Sequence, residues 1–204
     1  MKAKFPRTTV GGVSLSRTIV GTNWMLGWSH RTPADDSLIK TRHAEPDAIA
    51  DLLEVFINAG VDTVMGLFVG RPHAVEGSRR AEERTGKRML VVYSDLNGYD
   101  VETYIQIYNC MGFLMQVEIE YIHKVIWGAK KPVMTIKPMA AGRVTPFVGL
   151  TFSWHTIRPR DMVTVGCLTP QEAAEDIEYS LAALENRPPD LAGRSSPNKT
   201  AVMK

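Results

Sequence analysis

The sequence predicts an α/β protein built on a parallel sheet, and three observations predict it. Short apolar, β-branched runs alternate along the chain with longer stretches whose apolar residues recur at helical spacing. With one exception, the connections between successive runs are long enough to carry a helical crossover. The composition is that of an ordinary folded domain, 44% hydrophobic and 23% charged over 204 residues, enough chain for one domain with its own core.

The elements follow in order. Thr8 to Val20 carries a Gly11-Gly12 turn and predicts a short hairpin that closes one end of the domain. Arg17 to Asn23 reads as a strand, and the polar stretch Ser29 to Glu45 as a loop. Pro46 opens a helix whose Ile49, Leu52, Leu53, Phe56 and Ile57 share one face, and Gly60 stops it. Val61 to Phe68 is short and apolar, a buried strand, and Pro72 to Thr85 is a charged helix ending at Gly86. Met89 to Tyr93 is a strand. Val101 to Tyr108 is another, with Val101, Thr103, Ile105 and Ile107 alternating with polar or aromatic neighbours. Gln116 to Ala129 is helical, with Val117, Tyr121 and Val125 beside Ile122 and Ile126 as its stripe. Val133 to Lys137 is a strand, Leu150 to Ile157 a short helix, and Met162 to Cys167 a strand. Thr169-Pro170 opens the last helix, which runs through Glu185 with Ala173, Ile177, Leu181 and Leu184 inward. The expected domain spans residues 1–186. A Pro- and Ser-rich loose tail, 187–204, follows it.

This gives six strands, too few for a closed eightfold barrel, which takes about 250 residues. The shortage has a place. Ser94 to Asp100 leaves seven residues between two strands, where parallel neighbours need about a dozen. Either the two strands are not neighbours, or Leu90 to Tyr93 is not a strand, or the middle of an ancestral barrel has been cut out. The third reading is favoured, because both flanks read as well-formed barrel pieces.

Net charge is +2 with acids and bases interspersed, which leaves no footprint for nucleic acid or an anionic membrane. Arg79, Arg80, Arg84, Lys87 and Arg88 form one basic cluster, but Glu82 and Glu83 break it, as on a solvated helix face. No apolar run approaches the roughly 20 residues of a membrane span, and Met1 to Arg7 is not followed by a signal core. Two unpatterned cysteines, Cys110 and Cys167, fit a reduced cytoplasmic setting, where the Asn198-Lys199-Thr200 sequon carries no weight. The expected partner is a small-molecule substrate. Open strand edges make self-association a further expectation.

The chemistry-bearing motifs lie toward the C-terminus. Met134-Thr135-Ile136-Lys137-Pro138-Met139-Ala140-Ala141-Gly142-Arg143 is a strand followed by a small-residue loop. Val163-Thr164-Val165-Gly166-Cys167-Leu168-Thr169-Pro170 then runs into a helix through Ile177. Upstream stand Gln106-Ile107-Tyr108-Asn109, Ala59-Gly60-Val61-Asp62-Thr63, and the opening Thr9-Val10-Gly11-Gly12-Val13 with Val20-Gly21-Thr22-Asn23-Trp24. In this order, over residues 8 to 70 and 100 to 185, the segments resemble the aldo/keto reductases, most closely the branch whose seventh strand ends in Lys-Pro.

The resemblance implies an incomplete aldo/keto-reductase-like (β/α) barrel with an N-terminal β-hairpin. It also implies an NADP(H)- or NAD(H)-dependent oxidoreductase acting on a small carbonyl or alcohol. Asn23, Tyr108, Asn109, Pro138 and Met139 would then touch the cofactor. Gly166, Cys167, Leu168 and Thr169 would hold its phosphate, with Gln171, Glu175 and Asp176 near the adenosine end. Physics supports the phosphate site, since a helix N-terminus offers free N–H groups; a plain helix cap explains Thr169-Pro170 equally. Asp176 departs from the Asn common in the family, and a carboxylate beside a phosphate is unfavourable.

The catalytic set is the larger departure. The family uses Tyr as proton donor, tuned by Lys, Asp and His. Asp62 matches the Asp, but Leu67 and Phe68 occupy the region of the Tyr and have no proton to give. The Lys and His would come from the stretch that is missing. Asp62 reads equally as a structural carboxylate. Lys137, at a strand end, is the other catalytic candidate: a Schiff-base former, an ion-pair partner, or a cofactor contact. His30 and His155 with Asp62 lack tight ligand spacing, so no metal site is assigned. Trp24, Trp28, Trp154 and Met25 line a pocket or pack a core. Cys167 at a helix N-terminus is a candidate reactive thiol. Three functions stay open: the oxidoreductase, a non-catalytic or shortened barrel relic, and a lyase, isomerase or metal enzyme using Lys137 or Asp62.

Overall fold

A computed structural model describes residues 5–66, 68, 70–92 and 102–191. Leu67, Tyr93, Val101, the short 94–100 connection, the basic start 1–4 and the tail beyond 191 with its sequon lie outside the described residues. The chain opens with a hairpin of β1 (Arg7–Val10) and β2 (Val13–Ser16), paired Arg7 to Ser16 and Val10 to Val13. Gly11 and Gly12 both take left-handed backbone, φ 55° and 79°, as a two-residue turn matched to strand twist requires.

The rest alternates as expected: β3 (Thr18–Gly21), α1 (Asn23–Leu26), α2 (Pro33–Arg42), α3 (Pro46–Ala59), β4 (Thr63–Met65), α4 (Pro72–Thr85), β5 (Leu90–Val92), β6 (Tyr104–Ile107), α5 (Ile119–Gly128), β7 (Val133–Ile136), α6 (Pro146–Thr156), β8 (Met162–Val165) and α7 (Pro170–Leu184). The six strands from β3 onward form one curled, all-parallel sheet in the order β5-β4-β3-β8-β7-β6. This is the cyclic strand order of a barrel opened between β5 and β6. Those two strands follow each other in the chain yet stand at opposite edges. Leu90–Val92 is a strand, so the short connection joins strands that are not neighbours, and the sheet is a half-barrel.

The sheet buries both faces. Val20, Val163 and Val165 point outward into the helix layer with Leu52, Leu53 and Phe56 of α3 and Ile126 of α5. Ile19, Met134 and Met162 point inward, where Val10 and Leu15 of the hairpin cover them. The hairpin therefore plugs one mouth of the half-barrel, the one at the N-terminal ends of the strands. A polar knot closes the same end. Asp161, fully buried, accepts from the Arg158 amide (3.0 Å), Nε (2.8 Å) and Nη2 (2.8 Å) and from the Val133 amide (2.9 Å). Arg158 also donates to the carbonyls of Ala129 (2.5 Å) and Lys131 (3.1 Å). Arg17 donates to the carbonyls of Asp161 (2.9 Å) and Arg158 (3.0 Å) while its guanidinium lies 5.0 Å from the Trp154 ring centroid.

Four sequence expectations need correction. Ser29 to Glu45 is not all loop, for it contains α2. Only Ile39 of that helix is buried, so no apolar stripe betrays it. Its signals are caps instead: Thr32 accepts from the Asp35 amide, Pro33 starts it, acids sit in its first turn and bases in its last. α6 starts four residues earlier than expected, at Pro146. On α5 only Ile122 and Ile126 are buried, while Tyr121 and Val125 are exposed, as is Val117, which lies before the helix starts. Arg187, where a loose tail was expected to begin, is pinned by Glu178 at 2.5 Å and by its amide on the Ala182 carbonyl.

Gly77 lets α4 lie directly on α3, since a Cβ there would come within 2.8 Å of Ile49 and of the Pro46 carbonyl oxygen. Gly77→Val should therefore cost about 2–3 kcal/mol by overpacking. A urea midpoint that falls with an unchanged m-value is the expected result, and an unchanged midpoint would contradict the close contact.

Candidate functional site

The other mouth of the half-barrel, at the C-terminal strand ends, holds a cleft of about 770 Å³. This is the end where barrel folds place their chemistry. The inward alternation that puts Met162 under the hairpin puts Thr164, then Gly166, on the cleft wall, as it does Ile136 in β7. The turns after β3 and β4 interlock to form the opposite wall. The Thr22 amide donates to the Met65 carbonyl at 3.1 Å, and a Cβ on Gly66 would fall 1.6 Å from Thr22 Oγ1. At Gly166 a Cβ would meet the Trp24 ring at 2.8 Å, so only glycine lets that indole lie against the end of β8.

The segment after β7 is the most strained part of the site. Lys137, Ala140 and Ala141 are left-handed at φ 62°, 49° and 54°, at a cost of order 1–3 kcal/mol each. Amides of Ala140, Gly142 and Val144 on the carbonyls of Lys137 and Met139 hold the turn. Gly149 of α6 packs beneath it, with room for no Cβ against the Pro138 carbonyl. The turn brings Lys137 to the cleft wall, where its amine has no hydrogen bond or ion pair among the described residues. Burial lowers the Lys137 pKa. Burial, and then the Lys137 charge, lower that of His30. The Asn23 amide lies 2.8 Å from His30 Nε2, so a neutral imidazole accepts there.

Charge in the cleft is divided. Arg31, Lys137 and Arg143 supply cations; Arg31 packs on Gly142, and Arg143 lies 4.0 Å over the Phe113 ring. Glu172 and Asp176 of α7 supply carboxyls. Asp176 is only 3% exposed. Burial pushes its pKa up to about 7, with Glu172 and Glu175 adding to the rise and the Cys167 thiol bond at 3.1 Å opposing it.

Of the residues expected from sequence, Asn23, Lys137, Pro138, Met139, Gly166 and Asp176 line the cleft. The rest do not. Asp62 precedes β4, at the plugged end, paired with Arg7 at 2.7 Å. The residues that β4 delivers to the cleft are Met65 and Gly66. Tyr108 is buried against Phe152 with ring centroids 5.1 Å apart. Asn109 folds its own loop by accepting the Met111 and Phe113 amides and donating to the Phe113 carbonyl. Gln171 and Glu175 bond each other at 3.2 Å, and Gln171 is exposed. Leu168 and Thr169 serve the helix cap. Thr169 Oγ1 accepts the Glu172 amide (3.0 Å), and Glu172 reaches back to the Leu168 amide (2.8 Å). The chain's own carboxylate thus fills the expected phosphate position.

Cys167 is buried, and burial together with Asp176 raises its pKa well above the ordinary thiol value, the reverse of an activated thiol. Only Cys110, half-buried, should react with a thiol reagent in the native protein, with Cys167 following in denaturant. Native labelling of Cys167 would contradict this burial. Trp24 lines the cleft, whereas Met25 and Trp154 belong to the core and Trp28 stacks on Arg71. His155 is exposed on α6. No cluster of three metal-ligating residues occurs among the described residues. Sequence reasoning missed Arg31, Arg143 and Glu172, which sit at turns and a helix start where no periodicity flags them.

No protein-family model and no curated sequence matches the chain. Solved structures do. A crystal structure of a provisionally assigned aldo-keto reductase from Pseudomonas aeruginosa matches with a TM-score of 0.52 at 15% identity, over 87% of this chain and 96% of the other. A second structure of the same description and organism matches with a TM-score of 0.52 at 16% identity, over 90% and 98%. At that identity the likeness is one of fold: an aldo/keto-reductase-like architecture carried on six strands.

Proposed function

We propose that this half-barrel binds a nicotinamide dinucleotide, NADP(H) or NAD(H), across the cleft, as an oxidoreductase of small carbonyl or alcohol compounds. The observation that carries the reading is that Arg31, Lys137 and Arg143 meet an aromatic wall, Trp24 on Gly166, in one 770 Å³ cleft at the C-terminal strand ends. That volume suits a ligand of cofactor size. The residues fit the group with one change from the familial expectation. Because Glu172 caps α7, the phosphates belong on the Arg31, Lys137 and Arg143 side, and the flat rings on Trp24. When bound, the dinucleotide supplies hydride. The chain supplies cations for its phosphates, the Asn23–His30 pair at the strand ends, and Lys137 as the group able to pass a proton.

A second reading, nucleotide binding without turnover, is favoured by one observation: no tyrosine lines the cleft among the described residues, and β4 presents Met65 and Gly66 there. A titration with NADPH and NADH, followed by tryptophan fluorescence, tests both. Saturable quenching, weakened about tenfold or more in Arg143→Ala, is expected. Absence of binding by folded protein overturns the proposal. Binding without NADPH oxidation across a panel of aldehydes and ketones selects the second reading.

A further inference from the structure

We infer that Lys137 forms an imine with a small anionic aldehyde or ketone in the cleft, the phosphate or carboxylate of that compound resting on Arg31 and Arg143. The inference uses the same cleft as the dinucleotide reading but needs no nucleotide. Four observations converge on it. Lys137 sits at the C-terminal end of β7 and lines the cleft. Its amine has no carboxylate partner or hydrogen bond among the described residues, whereas the buried cations Arg17 and Arg158 each donate at least two side-chain hydrogen bonds. Its backbone is left-handed, φ 62°, in a turn tightly backed by Gly149, so the backbone that directs this side chain to the cleft is held at the expense of strain. Finally, Arg31 and Arg143 line the same cleft and can hold a carboxylate or phosphate, which would orient a short carbonyl compound beside the amine.

The step balances without an external oxidant or reductant. The neutral Nζ lone pair attacks the carbonyl carbon. A C–N bond forms as the C=O π pair moves to oxygen, which takes up a proton. The nitrogen then loses a proton, and the hydroxyl group, protonated in turn, leaves as water while the nitrogen lone pair closes the C=N bond, giving the protonated imine, which becomes the imine on losing its remaining N–H proton. Two features of the site favour this. Burial lowers the Lys137 pKa and so favours the neutral amine relative to an exposed lysine. His30, bonded through Nε2 to Asn23 and coupled electrostatically to Lys137, is the group placed to move the proton at oxygen.

Borohydride trapping on the full-length protein, without nucleotide, is the test. Glyoxylate and glycolaldehyde phosphate serve as probes, with acetaldehyde as the neutral control. The expected result is one saturable adduct per chain, mapped by peptide mass to the Lys137 peptide and formed at least about tenfold faster than at any other lysine, the preference one charge-assisted contact gives. Glyoxylate alone points to a carboxylate ligand, glycolaldehyde phosphate alone to a phosphate ligand, and either supports the inference. Arg143→Ala should raise the half-saturating probe concentration. Lys137→Arg keeps the charge and should fold while losing the saturable adduct. Labelling of Lys137 at the rate of surface lysines, or equal labelling by acetaldehyde, overturns the inference. Nucleotide binding retained in the same preparation then shows that only the imine, and not the dinucleotide reading, has failed.

Discussion

Asp161→Ala should remove a large share of the stability of this protein. Asp161 is fully buried and accepts four hydrogen bonds, three from Arg158 and one from the start of β7. Without the carboxylate, the Arg158 guanidinium remains buried with only carbonyls around it. Breaking such a pair by deleting one partner costs about 3–5 kcal/mol, against a total of about 5–15 kcal/mol for a domain. Urea unfolding should show a midpoint reduced by about a third or more. Asp161→Asn keeps an acceptor oxygen and should lose less. An alanine variant within about 1 kcal/mol of the parent would mean that the knot does not hold the sheet.

Asp176→Asn should act in the opposite direction, and only at higher pH. The folded-state pKa of Asp176 is raised from 3.8 to about 7, so the folded protein holds this proton where the unfolded chain has lost it. The corresponding stability is fully present below about pH 4 and is lost as pH rises through about 7. A shift of this size is worth on the order of 4 kcal/mol. Asparagine cannot ionise, so the variant should match the parent near pH 4 and exceed it by several kcal/mol at pH 8. Equal pH slopes in the two proteins would show that Asp176 titrates normally. The same substitution should flatten any weakening of dinucleotide binding between pH 6 and 8, because it removes a carboxylate from the cleft wall.

What the sequence made legible was periodic or punctuated. Helices α3, α4 and α7 each begin at a proline, at 46, 72 and 170, and the strands that become β3, β7 and β8 are apolar because both sheet faces are covered. The short link after β5 gave away the half-barrel because a length rule was broken there. Helix α2 was hidden by its nearly all-polar surface. The site was half legible. Lys137, Gly166 and Asn23 lie at strand ends, which chain order locates. Asp62 misled because its Asp-Thr pair is familiar in type, yet it falls at the start of its strand, and the direction of a strand decides which mouth a residue faces. Arg31 and Arg143 come from turns whose course depends on left-handed residues that no composition reveals.

The strand order has one more consequence. The chain divides into two contiguous three-stranded blocks, β3 to β5 and β6 to β8, joined along a single seam where β3 pairs with β8 and the hydrophobic layer continues from α3 to α7. The cleft straddles that seam, taking Asn23 and Trp24 from the first block and Lys137, Gly166 and Asp176 from the second. A ligand seated there spans both blocks at once, so occupancy clamps the halves of the molecule together, and whatever loosens their docking also loosens the grip on the ligand.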